Sequence, residues 1–240
     1  TQNNRDIFLP AFEDAVRLDP AYVPAYYELF YYWYFRDVNK AAPYLESYLA
    51  NADQGPESEY LKTDFLYASG KFGEAKDKAL SLISQYGADV APRMYKMVAY
   101  ACDTLNDITC ANQYMADYFK KQAPEDVLPA DYEELANINA KTPGDELKAF
   151  DNLQKAVEAD TLLENKLKYI NKAADLAKKL GNRLKQAEWL GIAYSLKETP
   201  SQVDLYNWGM AHYQAENYPT ADSIFCGLYQ DKFPDEIYGY

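Results

Sequence analysis

The chain carries a single histidine, His212, among 240 residues. That scarcity takes the commonest metal ligand and general base out of almost the whole molecule. No Cys/His cluster has metal-ligand spacing, and neither a nucleophile elbow nor a phosphate-cradling glycine loop occurs. Cysteine is nearly as sparse, and three residues are too few for a disulfide framework. Positive charge is in deficit, with 24 Lys and Arg against 37 Asp and Glu and a formal net charge of −13. A pI of about 4.6 argues against nucleic acid and anionic membrane surfaces, since both require clustered Lys and Arg. Long apolar runs are missing too. The most apolar stretch, Tyr26 to Phe35, is interrupted by Glu28 and falls well short of the roughly 20 residues a membrane-spanning helix needs.

What is present is apolar weight and a period. Apolar residues make up 48% of the chain, which sets it apart from disordered sequences despite the charge. Small-residue helix starts recur at Ala41, Ala75, Ala111, Ala149, Ala187 and Ala221, with Phe8 in the same phase. The intervals are 33, 34, 36, 38, 38 and 34 residues. A period near 34 is the length of one helix–turn–helix unit, which is stable only when stacked on others. The last unit is the clearest. Leu205, Trp208, Gly209, His212 and Tyr213 fall at helical spacing, a Glu216-Asn217-Tyr218 turn follows, then come Ala221, Phe225 and Leu228, and Pro234 closes it. Gly70 precedes Ala75, Ala79 and Leu82, and Asn106 precedes Ala111, Met115 and Tyr118. Gly144 precedes Ala149, Leu153 and Ala156, and Gly181 precedes Ala187, Gly191 and Tyr194. A Gly or Asn five or six residues before the small residue predicts a left-handed cap on the first helix of a pair. Proline after the second helix predicts its end.

This layout resembles the tetratricopeptide repeat (TPR) family, whose pattern is Trp-x2-Leu-Gly-x2-Tyr…Ala-x3-Phe-x2-Ala-x4-Pro. The resemblance covers essentially the whole chain and implies an all-α, right-handed superhelical solenoid of antiparallel helix pairs. It implies a single array over 1–240: a half unit at 1–20 and pairs at about 23–53, 57–87, 92–124, 130–160, 163–199 and 202–234. Gly191 stands where the family has a bulky aromatic, which predicts loose packing there unless Trp189 fills the gap. Pro10 predicts that the opening helix starts no earlier than about Asp6. The repeat phase and the non-Met start, Thr1, suggest an excised stretch of a longer bacterial array, with apolar ends open to self-association.

The residues predict no catalytic group, no cofactor and no metal. His212 reads as a packing residue and Cys226 as core. The carboxylate pairs Glu13/Asp14, Asp53/Glu57 and Glu133/Glu134 read as solvated charge. Cys102 and Cys110 flank a turn between two helices, so the sulfurs are either bridged or an ordinary buried thiol pair. A bridge would place the protein outside the reducing cytosol. On that and on composition a periplasmic or envelope location is suited, and a cytoplasmic one is compatible.

In TPR proteins the first helix of each pair lines a concave groove. The resemblance maps Tyr27, Tyr31, Tyr34 and Phe35 there, then Glu57, Tyr60, Asp64 and Tyr67, then Arg93, Lys96, Tyr100 and Asp103. Asp131 and Glu134 follow, and Tyr206, Met210 and Tyr213 close the groove. Residues 163–179 have an ambiguous register and stay unmapped. The stretch Tyr26–Phe35 is aromatic around most of a helix, so a preceding repeat or a ligand must cover part of it. The expected function is a non-catalytic protein-interaction scaffold that binds an extended peptide or a partner surface in this aromatic groove. The alternative is carbohydrate or small-ligand binding through stacked tyrosines in a bacterial envelope protein, and a third reading is a spacer with an empty groove. The expected partner is a protein or peptide, with no nucleic acid and no membrane insertion. Acidic chaperone tails are disfavoured, because the matching positions hold Tyr and Asp where such family members carry Lys, Arg and Asn.

Overall fold

The computed structural model describes the backbone of residues 2–53 and 55–232 and the side chains of 8–53 and 55–227. The described residues form thirteen α-helices and two single 3-10 turns, with no strand among them. They group into two compact units, Thr1–Pro124 and Glu125–Tyr240. The first unit holds α1 (Gln2–Leu18), α2 (Val23–Tyr34), α3 (Val38–Asn51), α4 (Pro56–Ala68), α5 (Phe72–Tyr86), α6 (Arg93–Thr104) and α7 (Ile108–Lys121). The second holds α8 (Pro129–Lys141), α9 (Glu146–Ala159), α10 (Leu163–Lys179), α11 (Arg183–Leu196), α12 (Gln202–Gln214) and α13 (Tyr218–Lys232). Within the units, α2 packs on α3, α4 on α5, α6 on α7, α8 on α9, α10 on α11 and α12 on α13.

Sequence decides where each pair closes. Ala41, Ala75, Ala111, Ala149, Ala187 and Ala221 lie in the first turns of the second helices, and all are at most 2% exposed. A larger side chain there would hold two backbones apart. Gly70, Asn106, Gly144, Gly181 and Glu216 have φ between +59° and +88°. At four of these turns a backbone bond from the next residue reaches five residues back, as from Lys71 N–H to Leu66 O and from Asn217 N–H to His212 O. These bonds satisfy carbonyls that the helix end would otherwise leave open. The α2–α3 turn has the same three residues as most of the others but no left-handed residue. Asp37 closes it by accepting from the N–H groups of Asn39 and Lys40. The second unit's core gathers Leu153, Ile170, Ala173 and Trp189, and the first unit's gathers Phe30, Ala41, Leu45 and Leu61.

Several local expectations are corrected. Helix α1 begins at Gln2 and keeps Pro10 inside it, because a proline removes only one ladder bond and the helix continues around the gap. Glu28 and Tyr32 on α2 face Phe8, Leu9 and Phe12 of α1, so the preceding helix of this chain covers that side of the aromatic stretch. The space at Gly191 is filled by Trp208, whose Nε1 lies 3.0 Å from where a Cβ would stand, and not by Trp189, which is buried in the core. Cys226 is exposed. Glu133 is buried and bonded to two lysines, so it is not solvated charge. His212, by contrast, is the packing residue expected, buried with its Nδ1 3.3 Å from the Asn217 amide. Cys102 and Cys110 are joined across the α6–α7 turn, with Cα atoms 5.8 Å apart.

Candidate functional site

In the first unit α2, α4 and α6 present one side of each helix to a shared face. On α2, residues spaced by three and four stand above one another, which brings Tyr27, Tyr31 and Tyr34 into a row. The Tyr27 and Tyr31 rings are 4.8 Å apart edge-on, and Phe35 stacks 6.3 Å from Tyr31. Tyr34 Oη donates to the Asp64 carbonyl at 3.2 Å, tying α2 to α4. From α6, Arg93 Nη2 donates to Glu57 Oε1 at 2.7 Å, while Nη1 lies 3.9 Å from Asp64 Oδ2. The Arg93 guanidinium sits 5.1 Å from the Tyr60 ring centre, and its Nε–H is buried without an acceptor. Further along, the Tyr67 and Thr104 hydroxyls are 3.3 Å apart and the Tyr67 and Tyr100 rings 6.4 Å apart.

The electrostatics follow from partial burial. Desolvation pushes the Asp64 carboxyl up to about 6; Arg93 and Lys96 pull it back down and Glu57 pushes it further up. Burial, with Asp64 and Tyr67 nearby, raises Tyr34 to about 12, and burial with Tyr27 beside it raises Tyr31 further. Near neutral pH the tyrosines therefore keep their protons and act as donors, while Asp64 is mostly ionised beside Arg93. The face is aromatic, with an ion network set among the rings.

The structure separates the mapped residues into two groups. Tyr27, Tyr31, Tyr34, Asp64, Tyr67, Arg93 and Tyr100 are half-buried, and Phe35 is 69% exposed. Tyr60 is 5% exposed, because its hydroxyl turns inward to accept from the Ala91 N–H at 3.1 Å. It supports the face rather than lining it. Lys96 lies 5.1 Å over the Tyr118 ring. Asp131 is buried and accepts from the Leu128 N–H at the start of α8. Tyr206, Met210 and Tyr213 belong to α12 in the second unit, where Tyr206 packs 6.1 Å from Phe225 and Tyr213 5.5 Å from Tyr218. Sequence reasoning passed over the lysines of α10, because no glycine or small-residue mark fixes the register of 163–179. The missing signal was the spacing of Lys168, Lys172 and Lys179, which puts all three on one side of a helix.

Among the described residues the Cys102 and Cys110 sulfurs and an Asp107 carboxylate oxygen lie within 4.8 Å of one another. The sulfurs are spent on each other, so the group offers no thiolates to a metal. No helix among the described residues is long and apolar enough to cross a membrane.

No protein-family model matches the chain, and no curated protein matches its sequence. Solved structures do resemble it. The C-terminal part of a TPR repeat-containing protein from Cytophaga hutchinsonii is 23% identical with a TM-score of 0.55, over 71% of this chain and 64% of that one. Cut9, in the APC/C Cut9–Hcn1 heterotetramer, has a TM-score of 0.63 at 14% identity, over 99% of this chain and 44% of that one. YrrB, described as a TPR protein with an unusual peptide-binding site, has a TM-score of 0.51 at 14% identity, over 95% and 94%. The chain thus spans under two thirds of the first two. What these likenesses share with the helix pairs, left-handed turns and buried alanines is the fold: the chain is an all-α, TPR-like solenoid of helix pairs.

Proposed function

We propose that this chain is a non-catalytic interaction scaffold and that the α2–α4–α6 face of its first unit holds an extended segment of a protein partner. One observation carries the reading: half-buried tyrosines from three helices meet on one face, edged by Phe35, which is 69% exposed. Covering a large apolar side chain contributes roughly 1.5–3 kcal/mol, whereas an exposed ion pair contributes about 0.2–1. The rings would therefore supply affinity, and Asp64 and Arg93 would orient the segment. The likeness to YrrB supports a peptide as the ligand. A second reading, a sugar stacked on aromatic faces, is favoured by Tyr206 and Tyr213 on α12, both about half exposed.

Selection of the full chain against a random peptide display library tests the proposal. The expected result is enrichment of peptides whose binding falls at least about tenfold in Tyr31→Ala/Phe35→Ala, roughly the loss of one well-buried ring. Peptides that bind wild type and variant alike would refute it. Enrichment by a glycan array instead, lost in Tyr206→Ala/Tyr213→Ala, would establish the sugar reading.

A further inference from the structure

Asp64, on α4, sets its carboxylate among the rings of the tyrosine face with little to bind it. Its backbone carbonyl is taken by the Tyr34 hydroxyl at 3.2 Å. Among the described residues neither side-chain oxygen accepts a hydrogen bond, and the contact to Arg93 Nη1 is 3.9 Å, beyond hydrogen-bond reach. Arg93 does not close that gap because it is held elsewhere. Its Nη2 donates to Glu57 at 2.7 Å, and the guanidinium lies 5.1 Å from the Tyr60 ring centre. Lys96 lies over the Tyr118 ring, has contacts of its own, and reaches Asp64 only through its charge. The Asp64 side chain is 19% exposed, and neither oxygen is sealed from the surface. The carboxylate has thus lost much of its water without gaining donors in exchange. Desolvation outweighs the pull of Arg93 and Lys96 and holds it at about 6.

A carboxylate in that state gains most from a donor that is itself charged. We infer that the partner segment presents a lysine or arginine side chain to Asp64, with its methylene stem lying on the Tyr31 ring. This selectivity rests on the reading of the face as a peptide site, and it adds the residue type that the face prefers. The open acceptors are the first reason. Bonds from an ammonium or guanidinium to a carboxylate are about twice as strong as neutral ones, so a serine or amide would satisfy Asp64 less well. The setting is the second. Partial burial screens a charge pair less than open water does, and the faces of Tyr31 and Tyr34 attract a cation. The third is the field of the whole chain, whose net charge of −13 draws basic segments in and repels acidic ones.

The test uses the full chain and a random nonapeptide display library at pH 7 and low salt. Peptides captured by the wild type and lost by Tyr31→Ala/Phe35→Ala define the face, and they should be enriched in lysine or arginine. An enriched peptide is then synthesised with its basic residue intact and with norleucine in its place. Norleucine should weaken binding about tenfold, and Asp64→Asn, with folding checked by circular dichroism, should weaken the intact peptide by a similar factor. The two losses should not add, because both remove one contact. Lowering the pH from 7 to 5 protonates Asp64 and should weaken the intact peptide about fivefold or more in the wild type, but not in Asp64→Asn. Tyr31, Tyr34, Glu57, Tyr67, Arg93 and Lys96 face Asp64 in both proteins, so the difference between them isolates its carboxyl. Face-dependent peptides without a basic residue, or losses that add in full, overturn the selectivity and leave the peptide site standing. A selection that yields no face-dependent peptide overturns both. If Asp64→Asn unfolds, the norleucine and pH comparisons in the wild type decide, and indifference to either overturns the selectivity.

Discussion

Single residues in this fold differ sharply in what they tolerate, and two glycines show it. A Cβ at Gly209 would meet the Phe225 ring at 2.6 Å, while one at Gly73 meets nothing within 4 Å. Gly209→Ala should therefore destabilise by about 1–3 kcal/mol, through overpacking between α12 and α13. Gly73→Ala, in the first turn of α5, should stabilise by about 0.5 kcal/mol, by restricting the unfolded chain and favouring helix. Urea unfolding of both variants checks the pair. Asp64 gives a pH prediction. Its folded value is about 6 against an ordinary 3.8, so the folded chain keeps a proton that the unfolded chain releases. Its contribution to stability is greatest below 3.8 and declines as pH rises to about 6. Carboxyls held low, such as Glu59, Glu133 and Asp204, contribute in the opposite sense, and their stabilisation is lost as pH falls through their folded values. Stability of wild type minus Asp64→Asn should therefore fall between pH 4 and 6 and level off above that. Parallel curves would show that Asp64 titrates normally.

At the scale of the element, the turns were the most legible part of the sequence. Gly70, Asn106, Gly144 and Gly181 stand where the small-residue phase requires a left-handed residue, and each has positive φ. Glu216 occupies the same place at φ +59°, at a steric cost that a glycine would not bear. Glu216→Gly should consequently be neutral or stabilising by up to about 1 kcal/mol, where glycine at an ordinary helix position costs that much. Variation in the period is structural as well. The 38-residue interval ending at Ala149 contains the 3-10 turn Pro124–Asp126, and the next contains α10, 17 residues long beside first helices of 12 or 13. That extra length hid the register of α10, and with it the row of lysines on that helix. Partner geometry hid the rest. No spacing rule reveals that the Tyr60 hydroxyl is claimed by the Ala91 N–H, or that Trp208 of the next pair fills the space at Gly191. The Cys102–Cys110 bridge closes a short loop across the α6–α7 turn. In the loop-entropy picture its removal should cost about 2–3 kcal/mol. The unreduced chain should titrate with one free thiol, Cys226, and with three after reduction.

For the molecule as a whole, the repeat explains how a chain with net charge −13 folds without a single central core. Each pair buries its alanine stripe against a neighbour, and charge collects on outward faces. The two units divide the surface chemistry. The first offers rings with an ion network among them, and the second a groove along α8 and α10 with Lys168, Lys172 and Lys179 on its wall. The central claim is that the first helices of the first unit, and not the second helices, hold the partner. Hydrogen–deuterium exchange of the full chain with and without a display-selected peptide tests it most directly. Added protection confined to α2, α4 and α6, and absent in Tyr31→Ala/Phe35→Ala, is the predicted result. Protection on α3, α5 and α7 instead, or none at saturating peptide, would contradict it.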